Sequence, residues 1–315
     1  MNMNHVIWVE KYRPQKISEC ILPDRLKDIF QGIVNDGVIN NLLLYGSAGV
    51  GKTTVAKALC SELGLDNIII NGSNERNIDV IRNNIMVFAS AKAFNNKRKV
   101  VIIDEADYLN PLSQAALRNI IEEFANNCSF ILTCNYKNKI ISPLHSRCAC
   151  YNFTITKEEK KDLIIKVYTR IIEILKNENV QFNSKVLSNF IVNFYPDIRR
   201  IINELQGYAK ASKVIDEGIL ANTLTEQDYN NLISYLRKKD FKSIKTFCYS
   251  NSDIDTNTFY RELYEHLLVS LEPTSIPQAI LILHDYMYKS CFVFDGELNI
   301  LACLIDLMVN CIFRS

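Results

Sequence analysis

The residues Gly46-Ser47-Ala48-Gly49-Val50-Gly51-Lys52-Thr53 fit the spacing G-x4-G-K-[ST]. In such a loop the glycines let backbone N–H groups approach phosphate oxygens, and the helix that follows adds favourable partial charge at its N-terminus. Lys52 is placed to neutralise β- and γ-phosphates, and the Thr53 hydroxyl to hold Mg²⁺. About fifty residues on, the apolar run Val100-Val-Ile-Ile carries Asp104 and Glu105 at its end. A carboxylate there can hold the water shell of Mg²⁺, and its neighbour can polarise an attacking water. Asn135, after the apolar stretch Phe130–Thr133, could bring an amide to the γ-phosphate or to that water; an Asn after a strand is otherwise an ordinary turn residue. Arg147 and Arg199 read either as functional cations or as surface charges, and sequence position does not separate the two.

The elements that must hold these groups alternate in type. Strands are expected at Asn41–Tyr45, Asn67–Asn71, Lys99–Asp104 and Ser129–Cys134, with helices at Lys52–Leu63, Val80–Phe94 and Ser113–Ala125. Continuous apolar strands separated by helices predict a parallel sheet covered on both faces, an α/β core of about 150 residues. From Thr156 the periodicity is helical only: Lys157–Lys176, Ser184–Tyr195 and Ile198–Ala211, then Glu226–Lys239, Thr258–Leu271, Ile276–Met287 and Leu298–Cys311. The predicted domains are 1–152, a nucleotide-binding α/β domain; 153–222, a small helical lid; and 223–315, an all-helical domain.

The 315 residues carry 36 Lys+Arg against 35 Asp+Glu, a formal charge of +1, with 48% hydrophobic and 23% charged residues. That is the profile of a globular protein and excludes a disordered chain. The neutral total argues against a nucleic-acid role until it is divided: residues 1–152 hold 17 basic and 14 acidic groups, 153–222 hold 11 and 9, and 223–315 hold 8 and 12. The excess of base lies in the first two parts. No apolar run reaches the roughly 18 residues of a membrane span; Asp306 interrupts Ile300–Val309. Glu10 and Lys11 are unlike a signal peptide. The ten cysteines contain no C-x-x-C, and His5, His145, His266 and His284 supply no zinc spacing, so buried reduced thiols, no zinc and a cytoplasmic location are expected.

Six elements in order, Glu10-Lys-Tyr-Arg-Pro14, the phosphate loop, Asp104-Glu-Ala-Asp107, Thr133-Cys-Asn135, Ser146-Arg147-Cys148 and Asp197-Ile-Arg199-Arg200, resemble the AAA+ sliding-clamp loader ATPase subunits, the replication factor C small-subunit group. Glu19-Cys-Ile-Leu-Pro23 and Gly51–Cys60 look similar to the large clamp-loader subunit of T-even-type bacteriophages. The motifs cover residues 8–210; beyond them only helical character and length agree. The resemblance implies a P-loop AAA+ core, a helical lid and a helical collar for oligomerisation. It implies an ATP hydrolase stimulated by DNA and clamp, with ATP and Mg²⁺ as cofactors. The implied partners are a sliding clamp, a second loader subunit, further copies of the chain in a pentamer, and primer–template DNA. A phage-encoded chain would work in the host cytoplasm.

Residue by residue, Tyr12, Arg13 and Pro14 would lie beside adenine and the phosphate site. Lys52, Thr53 and Thr54 would hold nucleotide and Mg²⁺, Asp104 would hold Mg²⁺, and Glu105 would be the general base. Asn135 and Arg199 would be first and second sensors, and Arg147 an arginine finger acting on a neighbouring subunit's ATP. Arg76, Arg82 and Lys97-Arg98-Lys99 are candidates near DNA, whose backbone rather than sequence would be contacted. Met86, Phe88 and Phe94 are candidates for docking on the clamp. Ala48 and Val50 replace the Pro and Thr often seen in the loop, and His145 stands where Gln commonly precedes Ser-Arg-Cys. Two other functions compete: a nucleic-acid motor such as a helicase or branch-migration ATPase, which generally carries an added DNA-binding domain, and a scaffold that binds ATP without hydrolysis, against which the intact Lys52, Asp104, Glu105 and Arg147 argue.

Overall fold

A computed structural model describes residues 7–74, 78–91, 98–220, 224, 226–251 and 256–314. The chain divides into two compact units, 1–216 and 217–315. The first begins with the short helix α1 (Trp8–Lys11) and α2 (Asp24–Asp36), then alternates β1 (Leu42–Tyr45), α3 (Lys52–Leu63), β2 (Asn67–Asn71), α4 (Ile78–Ser90), β3 (Lys99–Asp104), α5 (Pro111–Glu123), β4 (Cys128–Cys134), α6 (Ser142–His145) and β5 (Ala149–Asn152). The five strands form one parallel sheet in the order β2-β3-β4-β1-β5.

Successive side chains on a strand point to opposite faces, and the core divides accordingly. Leu42, Leu44, Val100, Ile102 and Ile131 pack on one side with α2 and α3. Leu43, Val101, Ile103, Phe130 and Leu132 pack on the other with α4 and α5. β4 is buried along its whole length. β2, read from sequence as buried, is an edge strand, and Ile69 is 43% exposed there. α2 and β5 are among the elements that escaped the sequence reading. α2 buries Leu26 and Phe30 and packs Ile33 and Val34 against the same core, an amphipathic stripe that the sequence reading passed over. β5 contributes four residues of intermediate or full exposure.

The expected helix over Val80–Phe94 runs Ile78–Ser90. The one expected over Ser113–Ala125 starts earlier because Asn110 caps it: its side chain accepts from Ser113 N at 2.8 Å, with Pro111 in the first turn. Three further helices complete the unit, α7 (Lys157–Asn177), α8 (Ser184–Phe194) and α9 (Ile198–Ser212); β6 (Gln181–Phe182) precedes α8 and β7 (Val214–Ile215) follows α9, and the two form a small parallel pair. Two-residue strands leave no periodicity to read. α7 opens with a capping box between Thr156 and Glu159. Arg25 pins that junction: its Nε donates to Glu159 Oε1 and its terminal nitrogens to the carbonyls of Asn152 and Thr154, all at 2.8 Å.

The second unit holds α10 (Glu226–Lys238), α11 (Phe241–Ser250), α12 (Thr256–Ser270), α13 (Ile276–Ser290) and α14 (Gly296–Asn310) around one core that includes Phe259, Tyr260, Leu263 and Leu304. α11 was not expected: it is capped by Asp240 and buries only Ile244 and Cys248. One buried polar knot holds the bundle in register: Asn299 Nδ2 donates to Tyr260 Oη at 2.8 Å and to the Tyr286 carbonyl at 3.0 Å. Of the ten free cysteines, eight are buried, Cys150 is half-buried and Cys291 is exposed. Among the described residues no helix is long and apolar enough to cross a membrane.

Candidate functional site

The strand order brings the chemistry together. β4 lies between β1 and β3, so its C-terminal tip falls between the loop after β1 and the acidic pair after β3. Crevices outside the carboxyl ends of such strands, where the order reverses, are where ligands bind. The crevice here is lined by Ala48 to Thr54, Asp104, Glu105, Thr133 and Asn135. It is closed by Tyr12, Arg13 and Pro14 from the N-terminal segment and by Arg170, Ile174, Ile198, Arg199 and Ile202 from α7 and α9.

Lys52 opens α3 and is 8% exposed. Its Nζ donates to the carbonyls of Gly46 (2.8 Å) and Ser47 (2.7 Å) and to Asn135 Oδ1 (2.9 Å). Burial lowers its pKa, the nearby Cys134 and Asp104 opposing the shift. Thr53 Oγ1 donates to Asp104 Oδ1 at 2.7 Å, and Thr133 Oγ1 donates to the same oxygen at 2.5 Å. The Thr133 hydroxyl also accepts from the backbone N–H of Glu105 at 3.1 Å, so one side chain ties both acidic residues to β4. Glu105 adopts a left-handed backbone, φ 56°, which turns the chain sharply out of β3. Asp107 Oδ2 accepts from the N–H of Asn135 (3.1 Å) and of Tyr136 (3.2 Å), fixing the loop that presents the Asn135 amide.

Gly49 shows how close the lid helices come. Its φ is +76°, and a Cβ built there would stand 2.1 Å from Asp197 Oδ1. Only glycine permits that approach. Asp197 in turn caps α9, accepting from Arg200 N at 3.0 Å, so the helix that carries Arg199 starts against the phosphate loop. Arg200 instead stacks over Phe194, 4.6 Å from the ring centre.

The N-terminal segment is tied to both sides. Arg13 Nη1 donates to Thr54 Oγ1 at 3.3 Å, and its guanidinium also pairs with Glu10, lowering the Glu10 pKa chiefly through that hydrogen bond. Tyr12 Oη and Lys11 Nζ both donate to Glu178 Oε1 at 2.6 Å, while Trp8 N donates to Gln206 Oε1 at 2.9 Å.

Arg147 does not line this crevice. It lies in an open polar recess with Asn40, Asn41, Arg98 and Ser146, and its Nε donates to Glu122 Oε1 at 2.7 Å. Arg82 is paired with Glu123 at 3.2 Å. Lys99 departs from its reading as a surface candidate. It is 5% exposed, lies 4.7 Å over the Phe88 ring and donates to the carbonyls of Phe88 (2.7 Å) and Ala91 (2.5 Å), so its ammonium is committed to the end of α4. Met86 is 39% exposed and Phe88 is packed partly into the core. Arg76, Phe94 and Lys97 lie outside the described residues.

Sequence reasoning gave no role to Thr133, Asp107, Glu178 or Arg170. Thr133 and Asp107 stand inside recognisable elements, but nothing in the order of residues pairs position 133 with 104 or 107 with 135. Glu178 and Arg170 are ordinary charges on a helical stretch until the fold brings Tyr12 to them.

Residues 42–154 match the family model for the "ATPase family associated with various cellular activities (AAA)". Residues 159–221 match that for the "Sliding-clamp-loader large subunit, AAA+ ATPase lid domain". The sliding-clamp-loader large subunit of Enterobacteria phage T4 is 36% identical over 281 residues, 88% of this chain and 87% of that one. Its counterpart from Escherichia phage RB69 is 37% identical over 250 residues, 78% of each. The replication factor C small subunit of Methanocella arvoryzae is 32% identical over 314 residues, covering 98% of this chain and 90% of its own. Among solved structures, a single-site variant of RuvB from Thermotoga maritima superposes with a TM-score of 0.52 over 80% of this chain and 85% of the other. At 19% identity that likeness shows the fold alone.

Proposed function

The chain belongs to the sliding-clamp-loader ATPase family that includes the replication factor C small subunits, and from that premise we propose how its residues bind and hydrolyse ATP to place a clamp on DNA. The observation that carries the reading is the hydrogen-bonded set Lys52–Asn135 and Thr53–Asp104–Thr133 at the tips of neighbouring strands. A nucleic-acid motor is the competing reading, but the lid family and the relatives favour loading.

In this reading the N–H groups of residues 47–53 cradle the phosphates. Lys52 exchanges its carbonyl partners for the β- and γ-phosphate oxygens, an exchange favoured because its charge is already desolvated. Thr53 and Asp104 would hold Mg²⁺, and the fit is chemical: a hydroxyl and a carboxylate oxygen, 2.7 Å apart, are the hard donors this ion takes. When bound, the ion supplies charge neutralisation at the β- and γ-phosphates. Glu105 accepts the proton of the attacking water, Asn135 donates its amide to the γ-phosphate or that water, and Arg199 reaches the same phosphate from α9. Tyr12, Arg13 and Pro14 border the base and phosphate end of the crevice. Arg147 acts in trans on the ATP of an adjacent copy or partner subunit, so that turnover requires assembly.

The division into core (1–152), lid (153–222) and collar (223–315), the pentamer, the second loader subunit, primer–template DNA and stimulation by DNA and clamp belong to the same proposal. The test is ATP turnover by the assembled complex with clamp, with primed DNA, with both and with neither. Stimulation that needs both supports loading; turnover driven by duplex DNA alone, with strand displacement, would sink it.

A further inference from the structure

An arginine that must reach another subunit's triphosphate would be expected to project freely, with the full rotamer entropy of its side chain, about 2 kcal/mol. Arg147 does not. Its Nε and Nη2 both donate to Glu122 Oε1, the Nε contact at 2.7 Å, and its Nη1 donates to the Pro143 carbonyl at 2.9 Å. A third neighbour, Ser146 Oγ, lies at 3.5 Å from Nη1, the limit of a hydrogen bond. The plane of the guanidinium is therefore set from two sides, by a carboxylate on the last turn of α5 and by a carbonyl of α6. Five N–H donors meet these four contacts, and the side chain remains 28% exposed, so capacity to bind a further anion is retained.

Glu122 is suited to the task. It stands one helical turn after Arg118, and its carboxyl is held below the usual range chiefly by the hydrogen bond from Arg147, opposed by desolvation and aided by the charges of Arg147 and Arg118. It is ionised at neutral pH.

We propose that Glu122 is a positioning residue for Arg147: it holds the guanidinium in the orientation from which it meets the triphosphate of a neighbouring subunit. The inference rests on the reading of Arg147 as a group acting in trans. Its energetic basis is pre-organisation: ordering the arm before assembly removes that cost from the transition state, where orientation counts most. The opposite role, a latch that must open before the finger can act, uses the same contacts and gives the opposite sign on removal.

The experiment compares wild type, Glu122→Gln, Arg147→Ala and the double variant in the assembled complex with clamp and primed DNA, measuring kcat, the KM for ATP, binding of a fluorescent ATP analogue and thermal midpoint. Positioning predicts that Glu122→Gln lowers kcat about tenfold with KM within about twofold and the midpoint unchanged, and that the double variant is no slower than Arg147→Ala alone. Unchanged or faster turnover in Glu122→Gln beside an inactive Arg147→Ala overturns the positioning role and leaves the finger standing. Normal turnover in Arg147→Ala removes the finger reading and this inference with it.

Discussion

The crevice at the strand tips and the recess around Arg147 are built from the same kinds of polar group but held differently. In the crevice Lys52 is held by Asn135, and Asp104 by Thr53 and Thr133. These groups sit in or beside the core, where water does not screen them and an unmet partner is costly. Arg147 and Glu122 lie at the surface, 28% and 52% exposed, in the range where an ion pair contributes little to stability. On the proposed reading, the crevice is one half of a catalytic site, wired within one chain, and the recess would be the complementary half, ordered and partly exposed.

The largest effect should come from breaking the crevice. Lys52→Ala is expected to remove turnover and to weaken ATP binding together, measured by hydrolysis and by titration of a fluorescent analogue. Arg147→Ala should lower turnover by about 10³-fold or more while binding of the analogue is retained, which separates the two regions directly. Retained turnover there would mean the recess serves no neighbouring site. Thr133→Val keeps the shape of β4 but removes the hydroxyl that joins Asp104 to the Glu105 backbone. The expected cost is about 1–3 kcal/mol of stability, read by chemical denaturation, with a fall in kcat larger than any change in KM.

The smallest effect is pH-dependent and belongs to the N-terminal clamp over the crevice. The Glu10 pKa is lowered from 4.5 in the folded chain by Arg13, so its contribution to stability is present above about 4.5 and is lost as pH falls through the folded value. Glu10→Gln should therefore lower the midpoint slightly at neutral pH and converge with wild type in acid, flattening the acid side of the midpoint-versus-pH curve. Midpoints that coincide with wild type at neutral as well as acid pH would show that the Glu10–Arg13 pair does not couple to folding.

Much of this arrangement was legible from residue order because the chemistry and the fold share one grammar. An apolar run ending in Asp104-Glu105 is a buried strand and the proposed functional tip at once, and Gly51-Lys52-Thr53 both opens a helix and carries the spacing of a phosphate loop. α2 was legible, since Leu26, Phe30, Ile33 and Val34 form one apolar stripe, and it was passed over; α11 is short with two buried residues, and β5 is too short and too exposed to show a strand. Lys99 counted as part of a basic surface cluster until the end of α4 proved to lie over it.

By itself the sequence determined the phosphate loop, the acidic pair, the alternation that demands a parallel sheet and the mainly helical character of the chain after Thr156. These are local properties, set by backbone freedom, side-chain period and the chemistry of adjacent residues. Only the tertiary structure decided that β4 lies between β1 and β3, that Thr133 and Asp107 hold the groups around them, and that Arg147 stands outside the crevice in the grip of Glu122. Those are pairings between residues as much as 83 apart, such as Lys52 with Asn135. Strand order sets them, and no local propensity records strand order.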